Sequence, residues 1–293
     1  MPEATSTPVR FKHHLEYWGV RFGFWLFRKL GRIRAGKFAG WLARTIGPRL
    51  KAHKTARNNI TAAMPELSAQ EVDVILDRMW DNLGANVGEM PFVREMSVTA
   101  PFVEVEGLEV LEKLKQERKP ALFLTAHYGQ WELGAAACRY VENDVHIIYR
   151  AANNPLVEAY FQENREAPGA TFIPKGRQGA RAMLKALKTA GGVTLLNDQK
   201  QNTGVPIPFF GRDAMTATAI ADLAVRFNYP IIPMQPVRLA EGRHKLIIHP
   251  PIYANTEGDR QENVVELLTR INQLYEDWIR ERPDHWFWVH NRW

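Results

Sequence analysis

From about residue 103 onward, short apolar runs of strand length alternate with stretches whose apolar residues return every three or four positions. The runs predict strands over 121–126, 145–150, 171–174, 193–198, 231–237 and 245–249. The intervening pattern predicts helices over 108–116, 131–140, 155–166, 179–190, 216–227 and 262–282. Strands alternating with helices of this length imply an α/β fold with a mixed, mostly parallel sheet flanked by helices. Before that point the pattern differs, because residues 10–96 read as helical throughout. Within them, Ser68 followed by Glu71 forms a capping box after the Pro65 turn. The helix it opens places Val72, Ile75, Leu76, Met79 and Leu83 on one face, and Pro91 ends or kinks it. The chain therefore divides into a helical region over 1–100 and an α/β domain over 101–293.

Charge sharpens that division. Thirteen of the 38 basic residues but only one of the 32 acidic residues, Glu16, lie between residues 10 and 57, so this stretch carries +12 and the remainder −6. The same stretch is aromatic: Trp18, Phe22, Trp25, Phe38 and Trp41 interleave with Arg21, Arg28, Lys29, Arg32 and Lys37. Arg21 and Arg28 interrupt any run approaching the ~18 uncharged apolar residues that cross a bilayer. The expectation is a helix lying in a membrane interface, with rings at the acyl boundary and cations on anionic headgroups. A helix packed on its own domain with a solvated basic face fits the same pattern. Basic-aromatic mixtures also bind single-stranded nucleic acid, but no nucleic-acid module accompanies this one, and no nucleic-acid partner is expected.

A hydrophobic content of 45% with 24% charged residues excludes general disorder. One cysteine, Cys138, excludes an internal disulfide framework and a cysteine-rich metal site. The first ten residues are polar, and no secretory signal is expected.

The chemistry concentrates where the first strong apolar run ends, in Thr125-Ala126-His127-Tyr128-Gly129-Gln130-Trp131-Glu132-Leu133-Gly134. A histidine at the mouth of a strand and a carboxylate five positions later can form a base and its orienting acid, since an unperturbed imidazole already titrates near neutrality. A hydrolase-type nucleophile is missing: Gly-x-Ser-x-Gly does not occur, and Cys138 falls within a predicted helix among alanines. A His–carboxylate pair without a protein nucleophile suits direct attack by a substrate hydroxyl on an activated acyl group, with His127 as base and Glu132 in support. The spacing equally suits a capping histidine followed by a solvated helix glutamate.

The His127–Glu132 block resembles the H-x4-[D/E] signature of the late acyltransferases of lipid A biosynthesis in Gram-negative bacteria. Further stretches are similar to the same family. They are Ile148-Tyr149-Arg150 with Asn154-Pro155-Leu156, Leu196-Asn197-Asp198-Gln199 with Phe209-Phe210-Gly211-Arg212, and the closing Arg282-Pro283-Asp284-His285-Trp286-Phe287-Trp288-Val289-His290-Asn291-Arg292-Trp293. The resemblance spans nearly the whole chain. It implies a glycerolipid-acyltransferase-like fold without a cofactor or metal. It implies transfer of a fatty acyl chain from acyl carrier protein to a hydroxyl of a lipid A precursor at the cytoplasmic face of the inner membrane. Such families usually begin with a more apolar segment, and the cations in this one favour association with the membrane surface over spanning. Acylation of another glycolipid, such as a mannosylated phosphatidylinositol, a non-catalytic membrane-binding role and hydrolysis remain alternatives.

Other residues take candidate substrate-binding roles in that setting. Arg150 ends a strand and is expected to bind a lipid phosphate or developing oxyanion charge. Asp198 ends another strand, as a second carboxylate near His127 or as a partner of Arg150, with Gln199 beside it. Phe209, Phe210 and Arg212 offer an apolar wall with a cation, although two adjacent phenylalanines also suit a core. Lys175 and Arg177 flank a glycine turn before a predicted helix, suited to phosphate. The terminal Trp286-Phe287-Trp288 is either a second interfacial anchor or a tail packed on the domain.

Overall fold

A computed structural model describes residues 9–141, 145–165, 170–174, 177–188 and 191–293 of the chain. Four helices precede the sheet: α1 (Phe11–Leu30), α2 (Arg32–Ile46), α3 (Lys51–Ala63) and α4 (Ala69–Glu89). The sequence marks each break. Gly31 adopts a φ of 76° between α1 and α2, and Gly47-Pro48 tightens into a 3-10 turn before α3. The predicted capping box opens α4: the Ser68 hydroxyl accepts from the Glu71 N–H, and the Glu71 carboxylate accepts from the Ser68 N–H. Pro91 sits in a single 3-10 turn that follows the last residue of α4.

Helices α2 and α4 cross closely because small residues meet small residues. A Cβ added to Gly84 would lie 2.3 Å from the Ala39 carbonyl oxygen, and one added to Gly88 would lie 2.4 Å from that of Ala35. Glycine four residues apart on one helix facing alanine four residues apart on the other lets the two backbones touch.

The remainder alternates strand and helix: β1 (Val103–Glu106), α5 (Leu108–Glu117), β2 (Ala121–Thr125), α6 (Leu133–Val141), β3 (Val145–Tyr149), α7 (Pro155–Arg165), β4 (Ala170–Pro174), α8 (Arg177–Lys188) and β5 (Gly192–Leu196). A hairpin of β6 (Val205–Phe209) and β7 (Arg212–Thr216) follows, then α9 (Ala219–Phe227), β8 (Ile231–Arg238), β9 (His244–Ile248) and α10 (Arg260–Glu281). Seven strands form one sheet in the order β1-β9-β8-β2-β5-β3-β4, parallel at every pairing except β8 with β9. The mixed, mostly parallel sheet is the one the alternating pattern predicts.

Two elements depart from the sequence reading. The edge strand β1 is only four residues long and leaves little pattern to detect. The β6–β7 hairpin takes the place of the first residues of a helix expected over 216–227, so Thr216 closes a strand and α9 begins at Ala219. Pro206 and Pro208 hide β6 from a propensity reading. Both prolines lie on its exposed side, while Ile207 and Phe209 point inward. Phe210 and Gly211 close the hairpin with φ of 50° and 69°, the paired positive angles of a tight two-residue turn.

Alternation along β2 divides the core. Leu122, Leu124, Ala126 and Tyr128 join a large cluster under α9, α10 and the C-terminal tail. Ala121 and Phe123 join a second cluster under α5 and α6.

Candidate active site

Strand register brings the site together. In the parallel pairing of β2 with β5, Thr125 lies opposite Leu196. Two residues beyond those paired strand ends come His127 and Asp198. The structure joins them: His127 Nδ1 lies 2.9 Å from Asp198 Oδ1, and the His127 backbone N–H donates to Asp198 Oδ2 at 2.9 Å. The Trp286 indole N–H donates to the same Oδ2 at 2.9 Å. Burial opposes ionisation of Asp198, yet His127 and these donors hold its carboxyl down at about 2. An ionised carboxylate only accepts, so His127 Nδ1 donates to it, and a lone pair on the ring can sit only on Nε2, which points outward.

That lone pair faces a cavity of about 280 Å³ whose walls include Thr125, His127, Thr194 and Leu196. The side chain of His127 is 23% exposed and that of Asp198 is 1% exposed, so the base meets the cavity while its partner stays beneath. Gln199 Nε2 lies 3.3 Å from His127 Nε2. Arg150 follows β3 and also lines the cavity, as does His290, whose ring centroid is 6.4 Å from that of His127. Trp131 and Phe287 flank the imidazole at 5.7 and 6.0 Å. Among the described residues no serine, threonine or cysteine hydrogen-bonds His127. Burial pushes the Cys138 thiol up to about 12, beside Thr194, which removes it as a nucleophile. No three His, Cys, Asp or Glu side chains among the described residues converge as a metal site.

Glu132 reaches the cavity wall but makes a different contact from the one the spacing suggests. Its carboxylate accepts from Arg165 Nη2 at 2.6 Å, with both side chains largely buried. Among the described residues no hydrogen bond joins it to His127. The expectation that Glu132 orients the imidazole is corrected: Asp198 makes that hydrogen bond. The cause is geometric. His127 ends the run out of β2, whereas Glu132 lies beyond the turn at Gly129 and points toward α7.

With this arrangement established, comparison with known proteins identifies its family. The sequence profile of the bacterial lipid A biosynthesis acyltransferases matches residues 6–293. The chain belongs to that family. Among curated relatives, the lipid A biosynthesis palmitoleoyltransferase of Escherichia coli (strain K12) is 25% identical over 95% of this chain and 92% of its own length. The lauroyltransferase of the same organism is 25% identical over 82% of this chain and 78% of its own. The myristoyltransferase is 22% identical over 94% and 87%.

Phe209, Phe210 and Arg212 of this family member are not among the residues that line the cavity. Phe209 and Phe210 are buried core: Phe209 packs on Trp286 and Trp293, and Phe210 on Trp288. Of the wall and core readings of this pair the structure shows the core, because inward alternation along β6 turns Phe209 toward the tail. Arg212 stacks on Trp293, 4.7 Å from the ring centroid, at the hairpin end. Lys175 lies outside the described residues, and Arg177 opens α8. The C-terminal aromatics pack on the domain, with Trp286 and Trp288 buried. The sequence gives no role to Arg165, and it places Trp286 and His290 only in the closing aromatic stretch, not at the site. Arg165 ends an ordinary amphipathic helix, and the other two reach the site only by tertiary packing.

Proposed function

We propose that the protein transfers a fatty acyl chain from acyl carrier protein to a hydroxyl of a lipid A precursor, with His127 as general base. The observation that carries this reading is the buried Asp198 beneath His127, which orders the imidazole so that Nε2 faces a cavity, with no serine, threonine or cysteine among the described residues hydrogen-bonded to it. The acceptor O–H gives its proton to Nε2 while its oxygen attacks the thioester carbonyl. The tetrahedral adduct collapses with cleavage of the C–S bond, and the leaving thiolate takes the proton back from His127. Asp198 keeps the tautomer and supports the imidazolium, and Glu132 contributes by holding Arg165 at the wall. Arg150 binds a lipid phosphate or the developing oxyanion.

The reaction is proposed to occur at the cytoplasmic face of the inner membrane. Leu15, Trp18, Phe22 and Trp25 form an exposed row on α1, and Phe38, Trp41 and Leu42 are exposed on α2. Arg21, Arg28 and Lys29 border the groove that Trp18, Phe22 and Trp25 line. No helix among the described residues is long and apolar enough to cross a membrane, and an interfacial α1 fits this distribution. On its other side Phe24 stacks on Phe161 of α7, the helix that ends at cavity-lining Arg165. The arm thus adjoins the site that an amphipathic substrate would enter.

Replacing His127 with Ala tests the chemistry. Transfer from an acyl carrier protein thioester to a hydroxyacyl glucosamine-disaccharide lipid should fall by roughly 10²–10⁴-fold, with the fold retained by circular dichroism. Wild-type rates in that variant would refute the assignment.

A further inference from the structure

We propose that Glu89 and Gln130 form a positioning link that fixes the turn between His127 and Glu132 from below. It rests on the reading of His127 as base.

Glu89 ends α4 with its side chain 1% exposed. Gln130 donates from Nε2 to Glu89 Oε2 at 2.6 Å, and its own Oε1 accepts from the Glu132 backbone N–H at 3.3 Å. Arg238, at the end of β8, donates to Glu89 Oε1 at 2.7 Å, to Asn82 Oδ1 at 2.8 Å and to Asn86 Oδ1 at 3.0 Å. Asn86 then donates to the Gly129 carbonyl at 2.7 Å, and the Gly129 N–H donates to the His285 carbonyl at 2.9 Å. His244 and Arg32 of α2 face the same carboxylate at 3.6 and 4.0 Å.

Apolar packing would fasten α4 to the sheet without the desolvation cost of buried charge. It would not hold a carbonyl and a carboxamide in fixed directions. These polar side chains act on the two residues, Gly129 and Gln130, where the chain reverses. Gly129 holds a φ of 50°, and a Cβ there would lie 1.9 Å from the Pro236 carbonyl oxygen. The turn sets the exit angle of the His127 backbone and the start of α6, so its position sets where Nε2 points. Glu89 and Gln130 are both buried and neither lines the cavity, so they act through His127 and Glu132.

The test uses the full-length protein, a lauroyl thioester of acyl carrier protein as donor and a hydroxyacyl glucosamine-disaccharide lipid as acceptor. Gln130→Leu removes the link and leaves the Glu89–Arg238 pair. We expect kcat to fall about 100-fold, the scale of a ~1 Å misplacement of reacting groups, with KM within about twofold of wild type. The exchange Glu89→Gln with Gln130→Glu reverses the hydrogen bond, with the carboxamide donating from position 89 and the carboxylate accepting at position 130. It should bring kcat back to within about tenfold of wild type. Wild-type kcat in Gln130→Leu, or a loss that the exchange does not recover, overturns the proposal. Should Gln130→Leu fail to fold, recovery in the exchange variant alone decides. His127→Ala run in parallel separates the two readings, because activity retained there removes the base assignment whatever Gln130 does.

Discussion

At the scale of single residues, the decisive contact is the one between His127 and Asp198, 71 positions apart in sequence and 2.9 Å apart in space. Asp198 accepts from three donors: the imidazole, the His127 backbone and the Trp286 indole. Asp198→Asn keeps the shape but presents an N–H where an acceptor is needed, which favours the wrong tautomer of His127. We expect kcat to drop by roughly 10²–10⁴-fold, measured against the same thioester donor. Glu132→Gln should cost less, because it weakens the pairing with Arg165 and leaves the imidazole oriented. Equal losses in the two variants would remove the distinction drawn between these carboxylates. His127 and Asp198 were both legible as strand-end polar residues after apolar runs. Their proximity was one of two placements the sequence allowed for Asp198, and what decided it is β5 lying beside β2 in a register that no local pattern states.

At the scale of elements, the basic-aromatic helix α1 was legible from periodicity and charge alone. One face settles on α7 through Phe24, and the other leaves Trp18 and Trp25 more than half exposed, at 61% and 54%. Replacing both tryptophans with Ala should weaken binding to vesicles containing anionic lipid. At about 1.5–3 kcal/mol for each large apolar side chain buried, the loss should exceed roughly tenfold, as read by vesicle flotation. Raising salt should weaken binding further by screening the arginines and lysines. Unchanged flotation of the double variant would exclude α1 as the anchor. The β6–β7 hairpin shows the converse case. Its prolines argue against a strand locally, and only its packing under the C-terminal tryptophans explains why it forms one.

At the scale of the whole molecule, histidines that the fold wholly or partly buries set the response to acid. Burial lowers His53, His244 and His249 below the ordinary imidazole value, with Arg238 and Arg32 adding to the effect at His244 against the pull of Glu89. A histidine lowered in the fold favours the folded state fully above its unfolded value near 6.5, and that contribution shrinks as pH falls below it. Asp198 and Glu89, each held at about 2, contribute above the ordinary carboxylate range near 4 and lose that contribution only as pH falls toward 2. The thermal midpoint should therefore hold steady from pH 8 to about 7, decline as pH falls below about 6.5, and fall further below about 4. A flat midpoint across pH 7 to 5 would contradict the histidine contribution. By itself the sequence determined the alternation of strands and helices, the basic aromatic arm and the His127 block. Those features are local, written in periodicity, capping and composition within a few turns of chain. Only the tertiary structure decided which carboxylate serves His127, that Phe209 and Phe210 are core, and that a buried network from α4 and β8 holds the Gly129–Gln130 turn. Each of those depends on strand order, register and helix crossing, which arise when distant segments bury one another and leave no trace in either segment alone.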